Sequence, residues 1–325
     1  MRPWPFSNPY PALVGWLTTD VTISGGQPLV VVDFDTLKKH PLLSTAVSKL
    51  RWGHNHLATL ETNFTEAFSD PEYHARLRAD RDAKSGDHVF KIANVPDLTD
   101  FADDLVNEVF DVAGNYRAAL DKMAWKLVLS GHGGVAPDRR GVKFPICDCP
   151  QQWTDARRAR NQFDPAHCGF IEGFQPYHGV NGLADSWHGT YIHPLTMLQS
   201  LSNEAKHQDD WPVTLPGANA AIGRDALPID FDEYLAIAVQ CRPQPLGGIG
   251  QPMEEGNEVI RIRLYPGANP HIDDAGRLTP VLAFAEGRRI IDTLQRIERY
   301  VHFVLSEFAR QFPSWRRHLT LPSSA

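Results

Sequence analysis

Two stretches of this chain carry polar side chains of a type that could hold negative charge. Arg117 offers a planar fork of donors. Asn203, Lys206 and His207 stand three and four residues apart, the spacing of one helical face. Arginine and lysine suit a phosphate or a carboxylate. Histidine adds a group that can exchange a proton near neutral pH. The set admits two chemistries. In the first, a binding or interaction protein takes a small anionic ligand in a polar groove lined by Arg117, Asn203, Lys206 and His207. In the second, a hydrolase, with a ribonuclease as one form, uses His207 as acid or base while Arg117 stabilises developing charge. Beside both stands a purely structural reading, in which Arg117 pairs with Asp121 one helical turn on.

Other candidate groups carry less chemistry. Cys147, Cys149, His167 and Cys168 are of the right types for zinc, but one residue between paired cysteines is too few for an ordinary structural site. They read as unpaired thiols, and no metal or cofactor is expected. His188 and His193 with Asp185 are of types that could ligate a metal from a loop, but the histidines read as surface groups. His54 and His56 fall on nearly opposite sides of a helix and cannot share a metal; His54, beside the apolar stripe, reads as a packed core histidine. Gly131-His132-Gly133-Gly134 resembles an oxyanion-hole loop, yet no Gly-x-Ser-x-Gly elbow accompanies it, so it reads as a helix stop. Neither a Walker phosphate loop nor a Gly-x-Gly-x-x-Gly fingerprint is present.

The elements that must position these groups follow from periodicity. Leu43, Val47, Leu50, Leu57, Leu60, Phe64 and Phe68 predict a helix from about 42 to 68. Leu105, Val109, Val112, Tyr116, Leu120, Met123 and Leu127 predict a longer one from 98 to 129, opened by aspartates that suit the positive end of its dipole. Pro194 starts a third helix carrying Asn203 to His207. Ile290, Leu294, Ile297, Val301, Val304 and Phe308 mark a last helix from about 287 to 312. Strands are expected at Leu29–Val32, Val89–Ile92, Phe231–Val239 and Val259–Leu264, and residues 69–87 read as a charged, exposed connection. Helices, then strands, then a helix predict an α+β class: an N-terminal antiparallel helical bundle and a small C-terminal antiparallel sheet capped by the last helix. An irregular Pro- and Gly-rich arm covers 1–28. A single domain covers 29–325, helical over about 40–210, with the sheet and last helix over about 228–313.

Composition bounds the rest. The chain has 325 residues, 42% hydrophobic and 22% charged, which is globular usage rather than disorder. The net charge of −7 disfavours non-specific DNA binding while leaving room for a local basic patch. Four cysteines are too few for a disulfide scaffold. Neither a signal-peptide run nor a stretch of about 18 apolar residues is seen, so no membrane association is expected and the chain reads as cytoplasmic. A homodimer is compatible with all of this.

Four segments together carry a resemblance. Asn115-Tyr116-Arg117-Ala118-Ala119-Leu120-Asp121-Lys122 with Trp125 is similar to an Asn-Leu-Arg-x-Ala-Leu-Asp-His helix motif. Phe144-Pro145-Ile146 matches a Phe-Pro-Ile motif. Ile171 to Tyr177 is similar to Ile-Glu-x-Leu-Gln-Pro-Tyr, and Leu198 to Gln208 to Leu-x-x-Leu-x-Asn-x-Asp-Lys-His-Arg. In order and spacing the chain resembles, from about residue 40 onward, a family of uncharacterised bacterial proteins, mainly actinobacterial. That family brings no established activity. Its Arg-x-x-x-x-His spacing also resembles HEPN-type helical domains, several of them ribonucleases, which implies RNA as a further candidate partner. This chain departs from the pattern with Lys122 in the histidine's place.

Overall fold

The computed structural model describes residues 32–67, 69–70, 74–96, 99–179, 192–207, 213–214, 238–243, 254–264, 277–278, 283–284 and 289–313. The arm expected at 1–28 lies outside them, as do most of the strands expected at Leu29–Val32 and Phe231–Val239.

The class is α+β. Helix α1 (Phe34–Lys39) opens on Asp33, whose carboxylate accepts the backbone N–H groups of Asp35 and Thr36. Helix α2 (Ser44–Ala67) follows, then strands β1 (Ala75–Arg81) and β2 (His88–Asn94), then helix α3 (Thr99–Gly131). The chain leaves α3 through Gly133 and Gly134 at φ of 61° and 93°, and the Gly134 N–H bonds the Leu129 carbonyl at 2.7 Å. The glycine run is thus a helix stop. Short helices α4 (Pro150–Asp155), α5 (Arg157–Arg160) and α6 (Pro165–Gly173) lead to α7 (Pro194–His207). Strands β3 (Val213–Thr214), β4 (Ala238–Pro243), β5 (Glu258–Leu264), β6 (Arg277–Leu278) and β7 (Ala283–Phe284) precede helix α8 (Ile290–Gln311).

The sheet differs from the expectation of a C-terminal unit. Its order is β4-β5-β2-β1-β6, antiparallel throughout, so the hairpin between α2 and α3 supplies its middle. The supposed charged connection at 69–87 contains β1, where Ala75 and Leu77 are buried and Arg76 and Arg78 exposed. Such alternation is a half-buried strand, and the arginines face water. Across the ladder, Arg261 and Arg263 of β5 hold the hairpin turn: Arg261 Nη1 donates to Asp82 at 3.0 Å and Arg263 Nε to Asp87 at 3.0 Å.

Among the described residues helix α8 packs on other helices rather than on this sheet. Ile290, Leu294, Ile297, Val301, Val304, Leu305 and Phe308 are fully buried in one cluster with Leu50 and Leu60 of α2, Leu105, Tyr116, Leu120 and Leu127 of α3, and Leu195 and Leu198 of α7. Its apolar stripe is wide enough to meet three helices at once, which a one-sided sheet contact would leave partly wet. Near the centre α2 and α3 touch closely. A Cβ on Gly53 would lie 2.4 Å from Tyr116 Cε1, so only glycine admits this tyrosine ring.

Candidate functional site

Arg117 sits at the middle of α3 with 11% of its side chain exposed. All three of its nitrogens are engaged. Nη2 donates to the Phe144 carbonyl at 2.7 Å, Nη1 to Gln199 Oε1 at 2.9 Å, and Nε to Asp121 Oδ2 at 3.4 Å. Asp121 Oδ1 in turn accepts the Phe144 N–H at 2.9 Å. One ion pair thereby satisfies both backbone groups of a fully buried phenylalanine in a segment without regular structure.

Gln175 continues the network. It is fully buried; its Oε1 accepts the Cys147 N–H, and its Nε2 donates to the Pro145 and Ile171 carbonyls. The four motif segments named above therefore meet in one hydrogen-bonded knot: Arg117 and Asp121 from the first, Phe144 and Pro145 from the second, Ile171 and Gln175 from the third, Gln199 from the fourth. Such a knot positions a loop across α3, α6 and α7, and a substrate would find no unengaged nitrogen on Arg117.

Arg117 does reach α7, but its partner there is Gln199 rather than Asn203. Asn203 lies one turn further along the same face and is exposed. Lys206 and His207 complete the backbone of α7, and their side chains lie outside the described ones.

The remaining candidates fall elsewhere. His54 is not a core histidine: its side chain is 49% exposed, and Nδ1 lies 2.8 Å from Glu298 Oε1 of α8. That carboxylate raises its pKa above the ordinary value despite burial. The Tyr116 hydroxyl is enclosed beside Glu298 without hydrogen-bond geometry, and burial, then the Glu298 and Glu61 charges, push its pKa up. His193 is not a surface group. It caps α7, its Nδ1 accepting the Leu195 N–H at 3.0 Å, and burial holds its pKa down at about 4. His188 and Asp185 lie outside the described residues. Cys147 is buried, which pushes its thiol up to about 11. Among the described residues no three His, Cys, Asp or Glu side chains converge as a metal ion requires, and no helix is long and apolar enough to cross a membrane.

A different surface combines an exposed aromatic ring with two cations. Lys38 of α1 and Val47, Ser48, Arg51, Trp52 and Asn55 of α2 line a hollow of about 150 Å³. Ser48, Trp52 and Asn55 recur at helical spacing on the side of α2 away from Leu50, Leu57 and Leu60. Trp52 is 59% exposed. Arg51 Nη2 holds Asp35 at 2.7 Å, an open pair with Asp35 78% exposed, and its guanidinium lies over the Phe34 ring. Lys38 is in no ion pair among the described residues. The signal was present in the sequence. Trp52 lies off the apolar stripe, and the stretch between Asp35 and Glu61 carries Lys38, Lys39, Lys49 and Arg51 with no carboxylate, in a chain of net charge −7.

Neither a protein-family model nor a curated protein nor a solved structure matches this chain.

Proposed function

We propose that this chain is a binding protein for a small anionic ligand, taken at the α1–α2 hollow. The observation that carries the reading is an exposed indole beside two cations, Lys38 and Arg51, one of them without an ion pair among the described residues. Aromatic surface and cationic donors in one concavity recognise a ligand with both a flat part and a charge. The hollow is smaller than the roughly 300–1,000 Å³ of a pocket that encloses a drug-sized molecule. The ligand therefore rests on the surface, and its charge supplies orientation.

The face of Asn203, Lys206 and His207 is a second place where an anion could bind, now without Arg117. The reading takes α2, α3, α7 and α8 as the antiparallel bundle that carries both places, supported by their shared buried cluster. Nothing in the geometry favours the ribonuclease reading, which asks Arg117 to stabilise charge that its existing partners already occupy. The resemblance to the actinobacterial family is part of the proposal too. Its motifs coincide with the residues of the knot, which supports a common fold rather than a common reaction.

The test is a titration of the 5-fluorotryptophan-labelled protein with inorganic phosphate, followed by fluorine NMR. The chain has 8 tryptophans, and Trp52→Phe assigns the relevant resonance. A saturable shift of that resonance, lost in Lys38→Ala/Arg51→Ala and retained in Lys206→Ala/His207→Ala, is expected. No saturable shift, or loss only in the second pair, would sink the α1–α2 site.

A further inference from the structure

We infer that the hollow takes a mononucleotide, its phosphate between Lys38 and Arg51 and its base stacked on Trp52. This rests on the anion-site reading and adds to it the aromatic half of the ligand. Trp52 keeps 59% of its surface open although the His56 ring is tilted against it at 6.1 Å. An indole left that open on a helix face offers a stacking platform, and every nucleobase presents a π-face to it. The flanking groups are polar: Ser48, whose hydroxyl already donates to the Ser44 carbonyl and retains acceptor capacity, and Asn55, which can read a base edge or a ribose hydroxyl.

Two other occupants fit less well. A protein partner seeks a contiguous apolar patch around its anchor. Here the hollow beside Trp52 is lined by Lys38, Ser48, Arg51 and Asn55 with only the buried Val47 apolar, and among the described residues the other exposed large hydrophobic is Val135, beyond the end of α3. A long single strand needs cations that track its backbone over several nucleotides. The positive ground here is short. It is closed on one side by Asp35, 78% exposed and paired with Arg51. That span suits one phosphate and one base.

Calorimetric titration of the full-length protein with inorganic phosphate, adenosine, adenosine 5′-monophosphate and a twelve-residue oligoadenylate separates the possibilities. The monophosphate should bind about tenfold more tightly than inorganic phosphate, since stacking of one base on an aromatic side chain has that order of effect. Trp52→Ala should remove the increment and leave the affinity for inorganic phosphate, while Trp52→Phe should keep part of it. Lys38→Ala should weaken both ligands. If the monophosphate and inorganic phosphate bind equally, the site is an anion site without base recognition, and this inference falls while the preceding one stands. If the oligoadenylate binds and the monophosphate does not, a strand is the ligand and the inference falls. If no phosphate compound binds, both readings fall together.

Discussion

Changing Arg117 to Ala distinguishes a structural tie from a ligand site. The guanidinium gives the Phe144 carbonyl a bond at 2.7 Å and Gln199 one at 2.9 Å, with its side chain only 11% exposed. Removing it leaves the carbonyl of a fully buried residue without its donor, a loss of about 1–3 kcal/mol. Asp121 is 31% exposed and keeps the Phe144 N–H, so its carboxylate regains water and adds little. Gln199 is half-buried and contributes an intermediate amount. Together these come to about 3 kcal/mol, below the cost of stranding a fully enclosed charge. With a urea dependence of about 3 kcal/mol per molar for a chain of this length, the midpoint of urea unfolding should fall by about 1 M. Arg117→Lys should recover part of that, because an ammonium can reach one acceptor but cannot span three. Phosphate binding at the α1–α2 hollow should be unaffected under native conditions. An Arg117→Ala protein with an unchanged urea midpoint and abolished anion binding would refute the structural account and restore Arg117 as a ligand-binding residue.

Leu120 is fully buried in the helical core, so Leu120→Ala should cost about 2–5 kcal/mol in urea unfolding; an unchanged midpoint would show that it does not line the core. Gly53→Ala should destabilise the wild-type protein, since the new methyl meets the Tyr116 ring at 2.4 Å, yet stabilise a Tyr116→Ala background by about 1 kcal/mol through helix propensity; the same sign in both backgrounds would exclude the steric cause. Two of the perturbed histidines, His54 and His193, should titrate displaced in opposite directions from the ordinary value by NMR. His54, with its pKa raised by Glu298, adds stability that is complete below its unfolded value of about 6.5 and is lost as pH rises through the folded value. His193, held neutral down to about pH 4, adds stability that is present above the unfolded value and is lost as pH falls; titration of His193 near 6.5 would contradict its burial.

The sequence alone determined where the long helices run, because periodicity is local. Leu50, Leu57 and Leu60, then Leu105 to Leu127, then Ile290 to Phe308 repeat at intervals that only a helix places on one side, and all of them are buried. The alternation of Ala75 and Leu77 with Arg76 and Arg78 was equally local. It was obscured because three of the seven residues in β1 are arginine, which reads as exposed charge until the apolar partners between them are counted. The partners of each element were decided by tertiary structure. Periodicity states that α8 has an apolar face but not what covers it, and three helices do. The hairpin's place in the middle of the sheet depends on β5, whose residues lie about 170 positions further along the chain than its own. The same limit governed the polar groups. Arg117 has the chemistry of an anion site in any sequence; the Phe144 carbonyl and Gln199, distant in the chain and adjacent in space, commit it to the fold. Trp52 has the composition of a core residue, and it is exposed because α2 already buries its opposite side against α3 and α8.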